Sequence, residues 1–303
     1  MRTVLKWLGV AMATVIVLLV LVLGWASMKF SAKAGRTYEY PLVPFSKQVG
    51  KGNVQRGKYL VTVRMTCIEC HGEDLAGGTV IDDPVAGHVH GRNITPAKLK
   101  AWSDAEIVRT LRHGTSRDGH PLLIMPSEDY QSMCEQDMRD IVAYLRTVKA
   151  VEKADQPNSA GPLLKMFWAL GKTPQVFGMD MIDHNRPWAP KVRESVTPAF
   201  GKYIFMNTCV GCHRENLKGG PMPGTPPDWA VPANITQDSL GTWSEADFLK
   251  TLKTGVNPSG AKLRLPMAMI LKYTPKFSDT ELKALWAYVK TVKGSAEKGK
   301  DGF

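Results

Sequence analysis

Two segments of this 303-residue chain carry the same reactive pattern: Cys67-Ile68-Glu69-Cys70-His71 and Cys209-Val210-Gly211-Cys212-His213. Two thiols three positions apart, followed at once by an imidazole, form the attachment pattern of a c-type haem. Thiols at that spacing lie on one side of a helical turn, so both can add to the vinyl groups of one porphyrin as thioethers. The His that follows swings beneath the ring and becomes the proximal ligand of the iron. A zinc or dithiol C-x-x-C site is the competing chemistry. It is the weaker one, because both motifs end in His and neither has a second Cys/His pair at zinc spacing. Cys67, Cys70 and His71 are thus assigned to one covalent haem, and Cys209, Cys212 and His213 to a second.

A closed haem iron needs a second axial ligand, and Met opposite His raises its reduction potential. In the first half the candidate is Met125, in Leu123-Ile124-Met125-Pro126, where the Pro stiffens the loop that presents the sulfur. The second half offers Met267 and Met269. Met125 lies 19 residues before Tyr144, and Met269 lies 19 before Tyr288, the matching position. Counting forward instead, Gly114 to Met125 is 11 residues and Gly255 to Met267 is 12. A loop absorbs an insertion more readily than a helix, so Met269 is the expected ligand and Met267 the alternative. His88, His90, His113 and His120 are rival ligands in the first half, but none has a His counterpart in the second. They read as surface or loop residues, with His113 at a helix C-terminus, where a cation is favoured.

The elements that must hold these groups are also repeated. Gly57-Lys58-Tyr59 and Gly201-Lys202-Tyr203 precede the two motifs. Leu75 to Gly78 and Leu217 to Gly220 follow as Leu-x-Gly-Gly. Then come Asn93-Ile94-Thr95 with Trp102-Ser103, and Asn234-Ile235-Thr236 with Trp243-Ser244. Ser103 with Glu106 and Ser244 with Asp247 are helix starts of the capping-box kind, and Gly114 and Gly255 are the expected stops. Each half closes on a helix with one apolar face: Met138, Ile141, Val142 and Leu145, then Leu282, Leu285, Trp286 and Val289. Asn93 and Asn234 are candidates to donate to a haem propionate, with a turn-forming Asn as the plain alternative. Trp102 and Trp243 either wall the haem edge or pack in the core. Cys134, the odd cysteine, aligns with Ser278 at the start of the last helix and is read as a half-buried bystander at an N-cap.

From Trp7 to Met28 the chain has no charge and is almost wholly apolar. Twenty-two residues at a rise of about 1.5 Å can span a bilayer core. The alternative is a cleaved signal with Ala32-Lys33-Ala34 as its processing site. The run is long for a signal core, so an uncleaved anchor is expected. C-type haems are attached outside the cytoplasm, which places the N-terminus inside and the haem-bearing part in the bacterial periplasm, on the inner membrane. The expected organisation is an anchor and flank over 1–36, a tether over 37–50, a haem domain over 51–150, a linker over 151–195, a second haem domain over 196–295 and a tail over 296–303. Leu163 to Leu170 reads as a short apolar latch within the linker, and Pro221, Pro223, Pro226 and Pro227 as a wall of the second haem pocket.

C-x-x-C-H, Asn-Ile-Thr, Trp-Ser and the late Met together resemble the cytochrome c subunits of bacterial membrane-bound alcohol, aldehyde and gluconate dehydrogenases. The resemblance covers residues 51–150 and 196–295. It implies an all-α fold of two tandem class I cytochrome c domains behind a transmembrane helix. Arg214 after His213, where Gly is usual, and two domains rather than three depart from that pattern. The implied role is electron transfer, from a dehydrogenase or quinol-oxidising complex to a cytochrome or oxidase. A dihaem enzyme of the peroxidase or thiosulfate dehydrogenase type, or a haem-bearing oxidase subunit, is the alternative. A peroxidase needs an iron that can open, and two halves this alike do not suggest that division. No nucleic-acid partner is expected. The formal net charge is +11. Setting aside Arg2 and Lys6 leaves 37 bases against 28 acids. With four haem propionates ionised the holo-protein carries about +5, enough to steer an acidic redox partner.

Overall fold

The computed structural model describes residues 2–47, 50–222 and 225–294. The tail 296–303, Pro223 and two residues of the tether therefore lie outside the described residues. In chain order the helices are α1 (Arg2–Ala34), α2 (Val54–Tyr59), α3 (Ile68–His71), α4 (Pro96–Leu99), α5 (Asp104–His113), α6 (Ser127–Tyr130), α7 (Glu135–Thr147), α8 (Pro162–Ala169), α9 (Pro198–Thr208), α10 (Val210–His213), α11 (Glu245–Thr254) and α12 (Asp279–Val289). A π-helical turn, Leu60–Arg64, prolongs α2.

The helix boundaries follow from local chemistry. Ser103 and Ser244 each accept from the backbone N–H three residues on, while Glu106 and Asp247 reach back to the cap N–H. Asp thus completes the box as Glu does. Gly114 and Gly255 end α5 and α11 with φ of 64° and 72°, the left-handed region that glycine enters without strain. Ser278 and Glu281 form a third capping box at α12. Cys134 stands in the matching place before α7, where its sulfur accepts from the Asp137 N–H at 3.5 Å.

The fold is helix-rich, but it is not the all-α fold expected above. Three short antiparallel strands, β1 (Thr79–Asp83), β2 (Gly87–His90) and β3 (Ser159–Ala160), form a sheet in the order β1-β2-β3. The reason is local: Thr79, Val80 and Ile81 favour extended backbone, and Asp83 turns the chain by accepting from the N–H groups of Val85 and Ala86.

The chain divides into two compact units that do not follow sequence order. One comprises Met1–Pro44, Ile68–Glu128 and Val148–His184, and the other Phe45–Cys67, Asp129–Thr147 and Asn185–Phe303. In the first, the far end of α1 packs on α8. Phe30, Trp168 and Phe177 meet there with ring centroids 5.0–5.5 Å apart. In the second, α2 crosses α7 and α9 crosses α12 around one hydrophobic cluster that includes Val63, Phe200, Ile204, Phe205, Leu282 and Leu285. Part of the first repeat thereby shares a core with the second.

His113 departs from the surface reading. It is 9% exposed, and Tyr40 stacks on both His113 and His184 at centroid distances of 4.4 and 4.3 Å. The Nδ1 atoms of the two histidines are 3.0 Å apart. Burial holds His113 at about 4, with His184 and two arginines adding to the effect. It is therefore a neutral packed ring, not a cation serving a helix end. His88 and His120 are surface residues beside Asp82 and Asp118.

Candidate haem-attachment sites

Each motif ends in a single helical turn, α3 and α10, with the imidazole at its last position. His71 and His213 are both buried, at 8% and 7% exposure. Nδ1 of His71 is 2.6 Å from the carbonyl oxygen of Arg92, and Nδ1 of His213 is 2.9 Å from that of Ala233. A carbonyl can only accept, so each Nδ1 carries the proton and each Nε2 keeps its lone pair. That is the tautomer an iron-binding histidine needs, oriented by a second hydrogen bond. Burial also pushes both imidazoles below their ordinary pKa, which keeps them neutral.

The repeated segments build the frame that supplies those carbonyls. Arg92 and Ala233 stand immediately before Asn93-Ile94-Thr95 and Asn234-Ile235-Thr236. Each Asn Oδ1 accepts from the N–H and the hydroxyl of the Thr two residues on, at 2.7–3.0 Å. The Ile94 N–H donates to the Leu75 carbonyl and the Ile235 N–H to that of Leu217. The loop after each motif closes in the same way, Gly77 donating to the His71 carbonyl and Gly219 to that of His213. Gly91 is required at the first site, since a Cβ there would stand 2.0 Å from the Cys70 carbonyl oxygen.

Asn93 is not the propionate donor considered above. Its Nδ2 donates to the carbonyls of Val151 and Lys153, at 2.8 and 3.2 Å. It ties the start of the linker to the loop that orients His71. The long separation of these partners hides this role from the sequence. Trp243 packs against the hydrophobic cluster of its unit, and Trp102 lies under the Arg117 guanidinium.

The four motif thiols fit thioether attachment. No disulfide joins the cysteines. Burial raises the Cys70 and Cys212 thiols and pushes Cys209 up to about 12. Of the sulfur ligands considered, Met125 lies half-buried in its loop, after Ile124, whose N–H donates to the Val176 carbonyl at 2.9 Å. Met267 and Met269 share a 3₁₀ turn, Met267–Lys272. Met267 packs on the hydrophobic cluster, an ordinary role for the residue, whereas Met269 is 52% exposed.

Residues 54–149 and 199–293 both match the family described as Cytochrome c. The chain belongs to the cytochrome c family. It is similar to the fructose dehydrogenase cytochrome subunit of Gluconobacter japonicus, 27% identical over 295 residues, 86% of this chain and 56% of that relative. It is 30% identical over 267 residues to the alcohol dehydrogenase (quinone) cytochrome c subunit of Gluconacetobacter polyoxogenes, 79% of this chain and 56% of the relative. A dihaem cytochrome of Cereibacter sphaeroides is 27% identical over 220 residues, 66% of this chain and 70% of that protein. The chain thus spans little more than half the length of the two dehydrogenase subunits. Two cytochrome c repeats, each with its C-x-x-C-H, give the chain two covalently attached c-type haems. Helix α1 is long and apolar enough to cross a membrane.

Proposed function

We propose that the chain is a membrane-anchored dihaem electron carrier of the periplasm, serving a dehydrogenase or quinol-oxidising complex upstream and a cytochrome or oxidase downstream. The observation that carries this reading is the matched pair His71–Arg92 and His213–Ala233. Two sites with one geometry suit one task, repeated electron exchange, better than a division into an open and a closed iron. The haems supply the chemistry, a one-electron change at iron. The chain holds them through Cys67 and Cys70, and through Cys209 and Cys212, and presents a neutral, oriented imidazole to each.

Each repeat is a class I domain, over 51–150 and 196–295, between the anchor of 1–36, the tether, the linker of 151–195 and the tail. Met125 and Met269 close the two irons, with Met267 as the alternative for the second. Similarity to dehydrogenase cytochrome subunits supports the upstream partner, and the haem-attachment pattern supports the periplasmic side.

The test is purification of the protein from its own membrane in mild detergent. Two haems per chain that survive acid and organic denaturation, two titrating potentials and a co-purifying dehydrogenase are expected. Rapid carbon monoxide binding with peroxide turnover would replace the carrier by an enzyme.

A further inference from the structure

Helix α8 is apolar all round, with Lys165 its one charged residue. Such a helix normally lies in a protein core or in lipid. One of its faces packs into the core of the unit. Leu164 and Trp168 join the cluster of Phe30, Val176 and Phe177, and Ala169 is buried. The other face carries Leu163, Met166, Phe167 and Leu170, at spacings of three and four that make one stripe. Leu170 is 52% exposed and the other three are half-buried. Val85, whose carbonyl accepts from the Leu163 N–H, is 50% exposed beside the start of this helix.

The contacts of α8 fix where this face stands along the anchor. Lys29 is the first charge after the uncharged run of 7–28. Its Nζ donates to the Ala169 carbonyl at the C-terminal end of α8, at 2.9 Å. The same ammonium lies 5.4 Å from the Trp25 ring centroid and 5.7 Å from that of Trp168. A Lys between two Trp at the end of an apolar span is the side-chain set of a membrane–water interface. At 33 residues α1 is about 50 Å long, against about 30 Å of hydrocarbon. Its last turns, which carry α8, therefore stand at the bilayer surface when residues 7–28 span.

We propose that α8 is an interfacial membrane helix, whose Leu163–Met166–Phe167–Leu170 face enters the lipid surface beside α1. The occupant is the bilayer because Lys29, set between Trp25 and Trp168, holds the C-terminal end of α8 at the point where the uncharged run of α1 ends. The proposal rests on α1 spanning the membrane. It gives this unit a second attachment besides the anchor, so the unit would not swing freely on a tether. Two contacts with the bilayer hold a body more firmly than one.

The test uses the full chain, with both haems, in phosphatidylethanolamine–phosphatidylglycerol nanodiscs. Single variants Leu163→Cys, Phe167→Cys and Leu170→Cys are spin-labelled, with Val17→Cys as the anchor control and Glu152→Cys as the aqueous control. The unsubstituted protein is the blank, since Cys134 is buried and the motif cysteines are thioethers. Retention of two haems per chain checks each variant's fold. Expected is a several-fold higher ratio of oxygen to nickel-chelate collisions at 163, 167 and 170 than at 152. Ratios like that of 152, with 17 still in lipid, overturn the proposal and leave the anchor standing. Protection of 163, 167 and 170 from both reagents marks a protein partner instead, and also overturns it. Water access at 17 removes the anchor reading and the proposal with it.

Discussion

Gly57 lies so close to Asp140 that a Cβ on the glycine would stand 1.9 Å from the Asp140 carbonyl oxygen, and Gly201 bears the same relation to Ala284. This is why Gly-Lys-Tyr occurs twice. The missing side chain lets α2 meet α7, and α9 meet α12, backbone to backbone. Within a helix Gly→Ala alone stabilises by about 1 kcal/mol. Here the methyl has no space, and overpacking of a core costs about 1–3 kcal/mol or more. Gly57→Ala and Gly201→Ala should each lower the melting temperature followed in the haem absorption. A rise in either variant would show that the crossing is not close.

Features that depend on near neighbours were legible in the sequence. The capping boxes at Ser103 and Ser244, the stops at Gly114 and Gly255 and the latch over Leu163–Leu170 are set within a few residues. The repeat Asn-Ile-Thr was visible, but its purpose was not. What it delivers is a backbone carbonyl, and every residue has one, so Arg92 and Ala233 share no side chain that a reader could match. The strand Ser159–Ala160 pairs with Gly87–His88, some 70 positions earlier, and is too short to announce itself by alternation. The stack of Tyr40, His113 and His184 joins three distant segments and leaves no local pattern.

That stack predicts a pH dependence. His113 titrates at about 4 in the fold, because burial disfavours its charged form and His184, Arg112 and Arg109 add to this. In the unfolded chain the ordinary value is about 6.5. As the pH falls below 6.5 the unfolded chain takes up this proton first, so stability is lost down to about 4 and then levels for this group. His184 is shifted in the same direction by burial. His113→Phe keeps a ring against Tyr40 and removes the titration. Its melting temperature should fall less steeply than the unsubstituted protein's between those limits. Identical slopes would mean that the histidine is already protonated or exposed.

The proposed axial ligands, Met125 and Met269, give a spectroscopic prediction. Ferric iron bound by thioether sulfur shows a weak long-wavelength charge-transfer band, and two His/Met sites should contribute about equally. Met125→Ala should abolish about half of the band. Met269→Ala should remove most of the remainder while Met267→Ala leaves it, since Met267 already packs in the cluster. The reverse result would transfer the ligand to Met267. Persistence of the full band in Met125→Ala would return attention to the histidines of the first repeat.

Arg64 is a buried cation near the second haem motif. It is 2% exposed, its Nη1 lies 3.9 Å from Glu281 Oε1, and its guanidinium lies 5.5 Å from the Tyr203 ring centroid. Glu281 is also bound by the Tyr59 hydroxyl and by the N–H and hydroxyl of Ser278. The Arg64 charge reaches Cys209, where it favours the anionic thiolate. An arginine stays charged throughout the accessible pH range, so a site that gains an electron nearby is stabilised in its reduced form. Arg64→Met should lower one of the two midpoint potentials, and Glu281→Gln should raise the same one. Both variants break a buried ion pair and should lose about 3–5 kcal/mol of stability. Loss of packing alone would therefore move the potential in one direction for both. Opposite shifts, measured by potentiometric titration of the full chain, identify the field as the cause, and shifts of the same sign rule it out.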